Sequence, residues 1–580
     1  MASRVLGELL NGNINGYEKH YDAPQHRGDG DLEYMHGSKS EAYYIDHEHI
    51  HKRQKMRLIC IGAGIAGIAA AYKYMEQLRD VEFQIYEKNH DVGGTWLENR
   101  YPGCACDIPA HGYTYSWEGN PNWSRFYAEA EEIHSYYKGL AIKWNCMQYI
   151  KLSHRVIEAK WSEAESSWNL KIESLTEGTI IEDRCDILLS ATGVLNHWKW
   201  PDIPGLHRFK GRLLHSARWD EEYNFQDKTV AVIGAGSSAI QIVPNLQKGD
   251  FIRSPTWITP EFSASLAADG RETRYSAEEI KRFNTDKKYF LQYRKDIQNT
   301  GSSSFSLYYK GSELQEKAYR DFSQLMRKRL GGDAELCERL IPKFEVGCRR
   351  FTPGNGFLEA LVKPNVTVVV TEIESITPDG IRTTDGVHYD VDAIVCATGF
   401  DCSYRPAFPV IGRDGRDLGE FWRDEPVHYL SVAVPGFPNY FVTGGPNSPI
   451  SNGSLISGLE TEIDYAYACL RKLQEENGAS MEASEQATAD FMEHKNAAMK
   501  EFVWSGDCKS WYKNGRVDGP VIGPWCGSTW HFNKALRNPR FEDYIFKYRK
   551  RNRFQYLGFG RTLGELRGED MAAHLREPGA

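Results

Sequence analysis

The 580-residue chain lacks any apolar run of membrane-spanning length, and no hydrophobic signal core follows Met1. It also lacks a basic excess: 70 Lys and Arg stand against 79 Asp and Glu, for a net charge of −9. With no basic stripe to offset that balance, nucleic acid is not an expected partner. No C-x-x-C pair and no zinc-type spacing occurs, and the 12 cysteines are scattered without a disulfide-like framework, which suits a reducing compartment. No solenoid period or low-complexity tract appears. These absences leave a soluble, cytoplasmic protein with no integral membrane segment as the expectation. Residues 1 to 55 are polar and read as an N-terminal extension. Its His47-Glu48-His49-Ile50-His51 run alternates histidines, but in such an arm they are solvated and no metal is expected.

What is present starts with one glycine-rich turn. Leu58-Ile59-Cys60-Ile61 runs straight into Gly62-Ala63-Gly64-Ile65-Ala66-Gly67, and an alanine-rich helix follows. Gly62 permits a tight turn, Gly64 lets backbone approach a pyrophosphate, and Gly67 lets the helix pack on the strand. The helix N-terminus offers N–H groups and a positive dipole end to phosphates. A second strand, Val81 to Glu87, ends in an acid placed to bind a ribose hydroxyl. Thr229 to Ile233 leads into a second such turn, Gly234-Ala235-Gly236-Ser237-Ser238-Ala239, and a helix from Ile240. Here Arg253, beside Ser254, stands where the first unit carries its acid, and an arginine suits the 2′-phosphate of NADP.

The length predicts two or three domains. Ala-Thr-Gly at Ala191 and again at Ala397 brackets the second unit. The expected architecture is α/β, with two Rossmann-like dinucleotide-binding domains, the NADP domain inserted in the FAD domain. The expected limits are 56–200 for the first part of the FAD domain, 201–390 for the NADP domain and 391–580 for the remainder. A helical, charged insertion is expected over about 267–340. Strands are expected at Gln148–His154 and Ser167–Glu173, and a site-building loop over Val92–Asp107. Cys104 and Cys106 in that loop fit neither a redox pair nor a zinc knuckle and are read as structural. An acid-ended and an arginine-bearing site together suggest a flavin reduced by NADPH. Without a dithiol exit, such a flavin hands its electrons to oxygen.

At Phe209-Lys210-Gly211-Arg212-Leu213-Leu214-His215-Ser216-Ala217-Arg218-Trp219-Asp220 the chain resembles the F-x-G-x-x-x-H-x-x-x-W-[PD] fingerprint of type I Baeyer–Villiger monooxygenases. Gly93-Gly94-Thr95-Trp96, the stretch from Arg100 to Asp107 and Ala397-Thr398-Gly399-Phe400-Asp401 are similar to that family too. The resemblance spans residues 57 to 545 and runs nearest to fungal enzymes of polyketide and terpenoid biosynthesis. It implies FAD and NADPH as cofactors, and a ketone and O2 as substrates. A C4a-peroxyflavin would convert the ketone to an ester or lactone. It implies Arg350 as the catalytic cation, Asp107 as its partner, and Arg349 as a contact to the NADP phosphates. Thr95, Trp96, Asp107 and Tyr113 would line the flavin. Ala105, Cys106, Gly234, Ala235, Gly236, Ser237, Ser238, Ala239, Ile240, Arg253 and Ser254 would face NADP. His215 and Trp219 would tune a hinge. The stretch from Ala239 to Arg253 is shorter than the family's, and Trp525-Cys526-Gly527-Ser528 replaces W-P-G-S. A related flavin monooxygenase doing hydroxylation or N/S-oxidation, and a nucleotide-sensing protein without catalysis, stand as alternatives. A monomer or weak oligomer is expected.

Overall fold

Met56–Ile61 and Val81–Tyr86 pair in parallel, Met56 opposite Val81 and Ile61 opposite Tyr86, with helix Ile65–Gln77 crossing between them. Ile150–Lys151 extends this sheet on one side, and Ile187–Ser190 then Tyr440–Val442 on the other, all parallel. A second parallel sheet runs in the order Val368–Val369, Gly249–Phe251, Val230–Ile233, Ala393–Cys396, Arg212–His215. Its strands all fall between residues 212 and 396, so the chain leaves the first sheet, builds the second and returns. Ile187–Ser190, Val230–Ile233 and Ala393–Cys396 are buried at every position, the pattern of strands covered on both faces. The computed structural model describes residues 44–246, 249–252, 254–260, 266 and 273–575. Two compact units are distinguished, Met1–His47 and Glu48–Ala580; in the first, Tyr44–His47 is described and carries neither helix nor strand.

The strand expected over Gln148–His154 divides. Cys146–Tyr149 forms a 3-10 turn and Ile150–Lys151 joins the parallel sheet. Ser153, at φ 56°, then redirects the chain into His154–Ser162, which pairs antiparallel with Ser167–Ser174. Charged helices occupy Ala277–Thr285, Lys287–Ser302, Glu313–Arg329 and Ala334–Leu340, each started by a side-chain cap from Ser276, Asp286, Ser312 or Asp333. The scattered cysteines conceal one disulfide, Cys348–Cys508, whose members stand 160 residues apart. Local spacing carries no trace of such a pair, because the fold alone brings the two loops together. Among the described residues no helix is long and apolar enough to cross a membrane.

The two glycine turns close in the same way. Gly62 has φ +104° and Gly234 φ +133°, and a Cβ on either would lie 2.7 or 2.4 Å from the carbonyl oxygen of Ala191 or Ala397. Each Ala-Thr-Gly therefore marks a strand end packed against a glycine turn, which accounts for its recurrence. The two crossings between sheets run side by side: Asp401 N–H donates to the His197 carbonyl at 2.6 Å, and Trp198 bridges Phe400. His215 is wedged there, stacked on Trp198 at 4.6 Å, with its Nδ1 accepting the Ala217 N–H at 3.1 Å. Burial pushes its pKa down to about 4, so the ring is neutral near pH 7. Trp219 stacks on Phe225 and Asp220 pairs with Arg212, which fixes the end of the fingerprint as a structural corner.

Two predictions follow from this packing. A Cβ at Gly67 would lie 2.0 Å from the Gly62 carbonyl oxygen, whereas Gly139, also helical, has nothing within 4 Å. Gly67→Ala should therefore lose ~1–3 kcal/mol of stability, while Gly139→Ala should be neutral or gain up to ~1 kcal/mol in urea denaturation. Neutral His215 makes its full contribution above its ordinary pKa of 6.5, and loses it as pH falls toward about 4. His215→Phe, which removes the acceptor for Ala217, should be less stable than wild type by ~1 kcal/mol at about pH 7. That gap should narrow at about pH 5, where only the wild-type unfolded chain gains a proton.

Candidate active site

Both glycine turns open onto one cavity of about 2460 Å³ at the C-terminal ends of the two parallel sheets. Single small-ligand sites measure ~300–1,000 Å³, so this space admits more than one ligand. Gly62 and Gly64 line it from the first sheet, and Gly234, Ala235, Gly236, Ser237 and Ser238 from the second. Thr95, Trp96, Ala105, Cys106, Asp107, Tyr113, Ser254, Arg349 and Arg350 line the space between.

The first turn fits a dinucleotide phosphate. The helix from Ile65 has Gly64 at its N-cap, no capping side chain and no acid in its first turn. Its leading N–H groups are thus left for a ligand, unlike those of the side-chain-capped helices of the insertion. Helix Ser237–Leu246 likewise begins without an acid. Glu87 is buried at the strand end, where Oε2 accepts the Ala63 N–H at 2.7 Å and Oε1 the Asn89 N–H at 2.8 Å. Its carboxylate therefore braces the glycine turn directly. Burial raises its pKa while the two N–H donors oppose the rise.

Arg350 is the centre of the polar wall. Its Nη2 donates to Asp107 Oδ2 at 2.5 Å, and its side chain stays 31% exposed toward the cavity. The Asp107 charge lifts the guanidinium further above the ordinary arginine range, against burial, and the Tyr512 and Tyr308 phenols add to it. Tyr512 also hydrogen-bonds the Arg350 side chain, and the Tyr308 hydroxyl donates to the Ser451 carbonyl at 2.5 Å. Arg349 donates to the Pro255 carbonyl at 3.3 Å.

Three anchors hold this constellation. Gln315, buried in helix Glu313–Arg329, accepts the Val346 N–H at 2.9 Å and donates to the carbonyls of Val346 and Leu307, at 2.8 and 2.6 Å. That ties the Arg350 loop to the turn bearing Tyr308. The Cys348–Cys508 disulfide joins the same loop to the segment bearing Tyr512. On the other side, Gln241 of helix Ser237–Leu246 donates to the Ala105 carbonyl at 2.9 Å and accepts from Tyr101 at 3.0 Å. The Arg100–Asp107 loop is thus bound to the second sheet's helix.

Most of the expected residues that are described meet here, with three exceptions. Ala239 and Ile240 turn into the core, because only the first positions of their helix face the cavity. Gly67 lies behind its turn and serves helix packing. Arg253 lies outside the described residues. Trp96 meets Tyr113 edge-on at 5.7 Å, and the Thr95 hydroxyl accepts from Asn99 at 2.9 Å. Sequence reasoning did not single out Tyr308, Tyr512, Gln241 or Gln315. Only Gln241 left a signal, as a polar side chain inside an otherwise apolar helical run.

Comparisons with known proteins agree with this geometry. Residues 60–130 match the NAD(P)-binding Rossmann-like domain family. The chain is 40% identical over 534 residues to the FAD-binding monooxygenase TazF of Aspergillus terreus, covering 90% of this chain and 95% of that protein. It is 31% identical over 517 residues to a Baeyer-Villiger monooxygenase of Streptomyces coelicolor, covering 86% and 94%. A solved structure of an oxidized steroid monooxygenase bound to NADP superposes with a TM-score of 0.72 at 26% identity, covering 85% of this chain and 100% of that one. The chain belongs to the flavin-dependent monooxygenase family that contains these FAD-binding and Baeyer–Villiger monooxygenases.

Proposed function

We propose that this chain is an NADPH-consuming Baeyer–Villiger monooxygenase. Ketone, O2, NADPH and a proton would give an ester or lactone, NADP+ and water, in fungal polyketide or terpenoid biosynthesis. The observation that carries this reading is the fixed Arg350–Asp107 pair facing a cavity onto which both glycine turns open. FAD would be held by Gly62, Gly64, Glu87, Thr95, Trp96 and Tyr113, in a domain made of residues 56–200 and 391–580. NADP would be held by Gly234, Ala235, Gly236, Ser237, Ser238, Ser254, Arg349, Ala105 and Cys106, largely from residues 201–390. When bound and reduced, the flavin supplies the activated oxygen.

The residues of the chain supply the rest. A ketone oxygen gains negative charge as its carbon becomes tetrahedral, and a permanent cation stabilises that change. Arginine suits the role because it stays charged where lysine would titrate. Asp107 holds the guanidinium in place and balances it when the cavity holds no anion. The phenols of Tyr113, Tyr308 and Tyr512 stand beside the pair and lessen its contact with water, which strengthens its field.

The test is product analysis with the purified yellow protein, NADPH and a panel of ketones, sulfides and amines. Ester or lactone formed in step with NADPH consumption is the expected result; sulfoxides or N-oxides alone would overturn it in favour of heteroatom oxygenation. Arg350→Ala should retain FAD and still oxidise NADPH, while ester formation falls by at least ~10²-fold. Arg350→Lys should recover part of the loss, since it restores the charge without the fork. Undiminished ester formation by Arg350→Ala would remove that residue from the chemistry.

A further inference from the structure

The buried acid Glu462 has no part in the chemistry above. It sits on helix Leu455–Glu475, 1% exposed, and no ion pair reaches it among the described residues. Its Oε2 accepts the Gly444 N–H at 2.6 Å, and its Oε1 lies 3.0 Å from Ser448 Oγ. Ser448 Oγ also lies 2.8 Å from the Gly445 carbonyl oxygen. Ser448 has one hydroxyl hydrogen, and both the Gly445 carbonyl and Glu462 Oε1 stand as acceptors for it. A protonated Glu462 carboxyl resolves that competition by donating to Oγ, which leaves the hydroxyl hydrogen to Gly445. With Glu462 ionised, the hydroxyl must leave Gly445 for the carboxylate or share one hydrogen between two acceptors in a dry interior.

The turn held in this way forms part of the cavity. Thr443 follows strand Tyr440–Val442, and its N–H and hydroxyl both donate to the Ser190 carbonyl, at 2.9 and 3.1 Å. Thr443 and Gly444 line the cavity at the strand ends that also carry the first glycine turn. We propose that Glu462 is kept as the neutral acid, and that its proton makes it the positioning residue for the Thr443–Ser448 wall of the site.

The surroundings agree. Burial pushes the carboxyl up to about 8, outweighing the Gly444 N–H and a Ser448 hydroxyl that donates to it; a hydroxyl turned to Gly445 no longer opposes the rise. Tyr404, from the loop after Ala397, is the titratable group that senses Glu462, and burial raises its phenol too. Beyond the turn, His428 bonds Asn447 at 3.0 Å and is held neutral by burial, its pKa pushed down to about 3. Lys495 is spent on Glu425 at 2.8 Å. Among the described residues no positive charge faces Glu462 to hold an ionised form.

The consequence is an alkaline limit. A carboxyl raised in the folded state contributes stability fully below its ordinary pKa of 4.5, and loses it as pH rises through about 8. Once the proton leaves, the Ser448 hydrogen is drawn to the carboxylate and away from Gly445, and the wall loses that anchor. Weaker FAD binding at high pH is then expected, a step that rests on reading the cavity as the flavin site.

Two measurements on the full chain decide the matter. The first is the infrared difference spectrum between wild type and Glu462→Gln. A protonated-carboxyl carbonyl band should be present only in wild type, and should vanish above about pH 8. Absence of that band at neutral pH would overturn the proposal whether or not FAD binds. The second is FAD affinity, read by flavin fluorescence from about pH 7 to about pH 9.5. Wild type should weaken about tenfold per pH unit above the carboxyl pKa, if only the neutral form binds. Glu462→Gln, whose amide both accepts from Gly444 and donates to Ser448, should match wild type at pH 7 and stay flat. A variant that follows the wild-type pH curve, or one already weakened at pH 7, would overturn the role. Failure of both proteins to take up FAD would count against the flavin reading of the cavity, while the infrared band still decides the protonation state.

Discussion

The arrangement of the site depends on keeping one largely desolvated cation in place. Arg350 faces a cavity between two sheets, and a guanidinium taken from water must be paired and hydrogen-bonded to be tolerated. Asp107 meets that need from the Arg100–Asp107 loop, and Tyr512 from a segment 160 residues further along the chain than Arg350's own loop. A pair assembled from such distant pieces holds only if each loop is held separately. That explains why Gln315 bonds both sides of Val346, why Gln241 grips Ala105, and why a disulfide lies two residues before Arg350.

The same requirement shapes the connection between the sheets. Each glycine turn is closed against an Ala-Thr-Gly strand end, so each sheet finishes its own cradle before the loops meet. The chain crosses between sheets twice, and the crossings are zipped by His197–Asp401 and Trp198–Phe400 contacts, with His215 stacked alongside. A neutral ring suits that position. A charged imidazole there would need a partner, and the surrounding Trp198 and Trp200 offer none. The fingerprint histidine therefore packs at the crossing as a neutral ring.

Much of this was legible before any coordinates, for reasons of local chemistry. Strand, glycine turn and helix follow one another within a dozen residues around Gly62 and Gly234, and an excluded Cβ leaves a glycine in the sequence. The Ala-Thr-Gly repeat was readable for the same reason. Illegible were relations made only by tertiary folding. Cys348 finds Cys508 and Arg350 finds Tyr512 across segments that share no periodicity. Also illegible was the burial of Ala239 and Ile240, since a motif names consecutive residues while a helix shows only some of them to one side. The strand over Gln148–His154 failed because apolar alternation does not reveal a left-handed residue such as Ser153.

Burial sorts the charges of this site by the chemistry of each group. Arg350, Glu462 and His215 all lose water, and desolvation disfavours the charged form of each. Arginine starts so far above neutrality, and gains so much from Asp107, that it remains a cation. Glu462 has only an N–H and a hydroxyl for company, neither of which repays its lost hydration, so it retains its proton. His215 needs only a small shift to be neutral and receives a larger one. The outcome beside the cavity is a paired cation at Arg350 and, on helix Leu455–Glu475, a carboxyl kept neutral by the same loss of water. An anion developing near Arg350 thus meets a paired cation, and Glu462 behind the neighbouring wall adds no competing negative charge. That asymmetry is what an oxygen-transfer site demands, and it comes from where side chains are buried as much as from which residues are present.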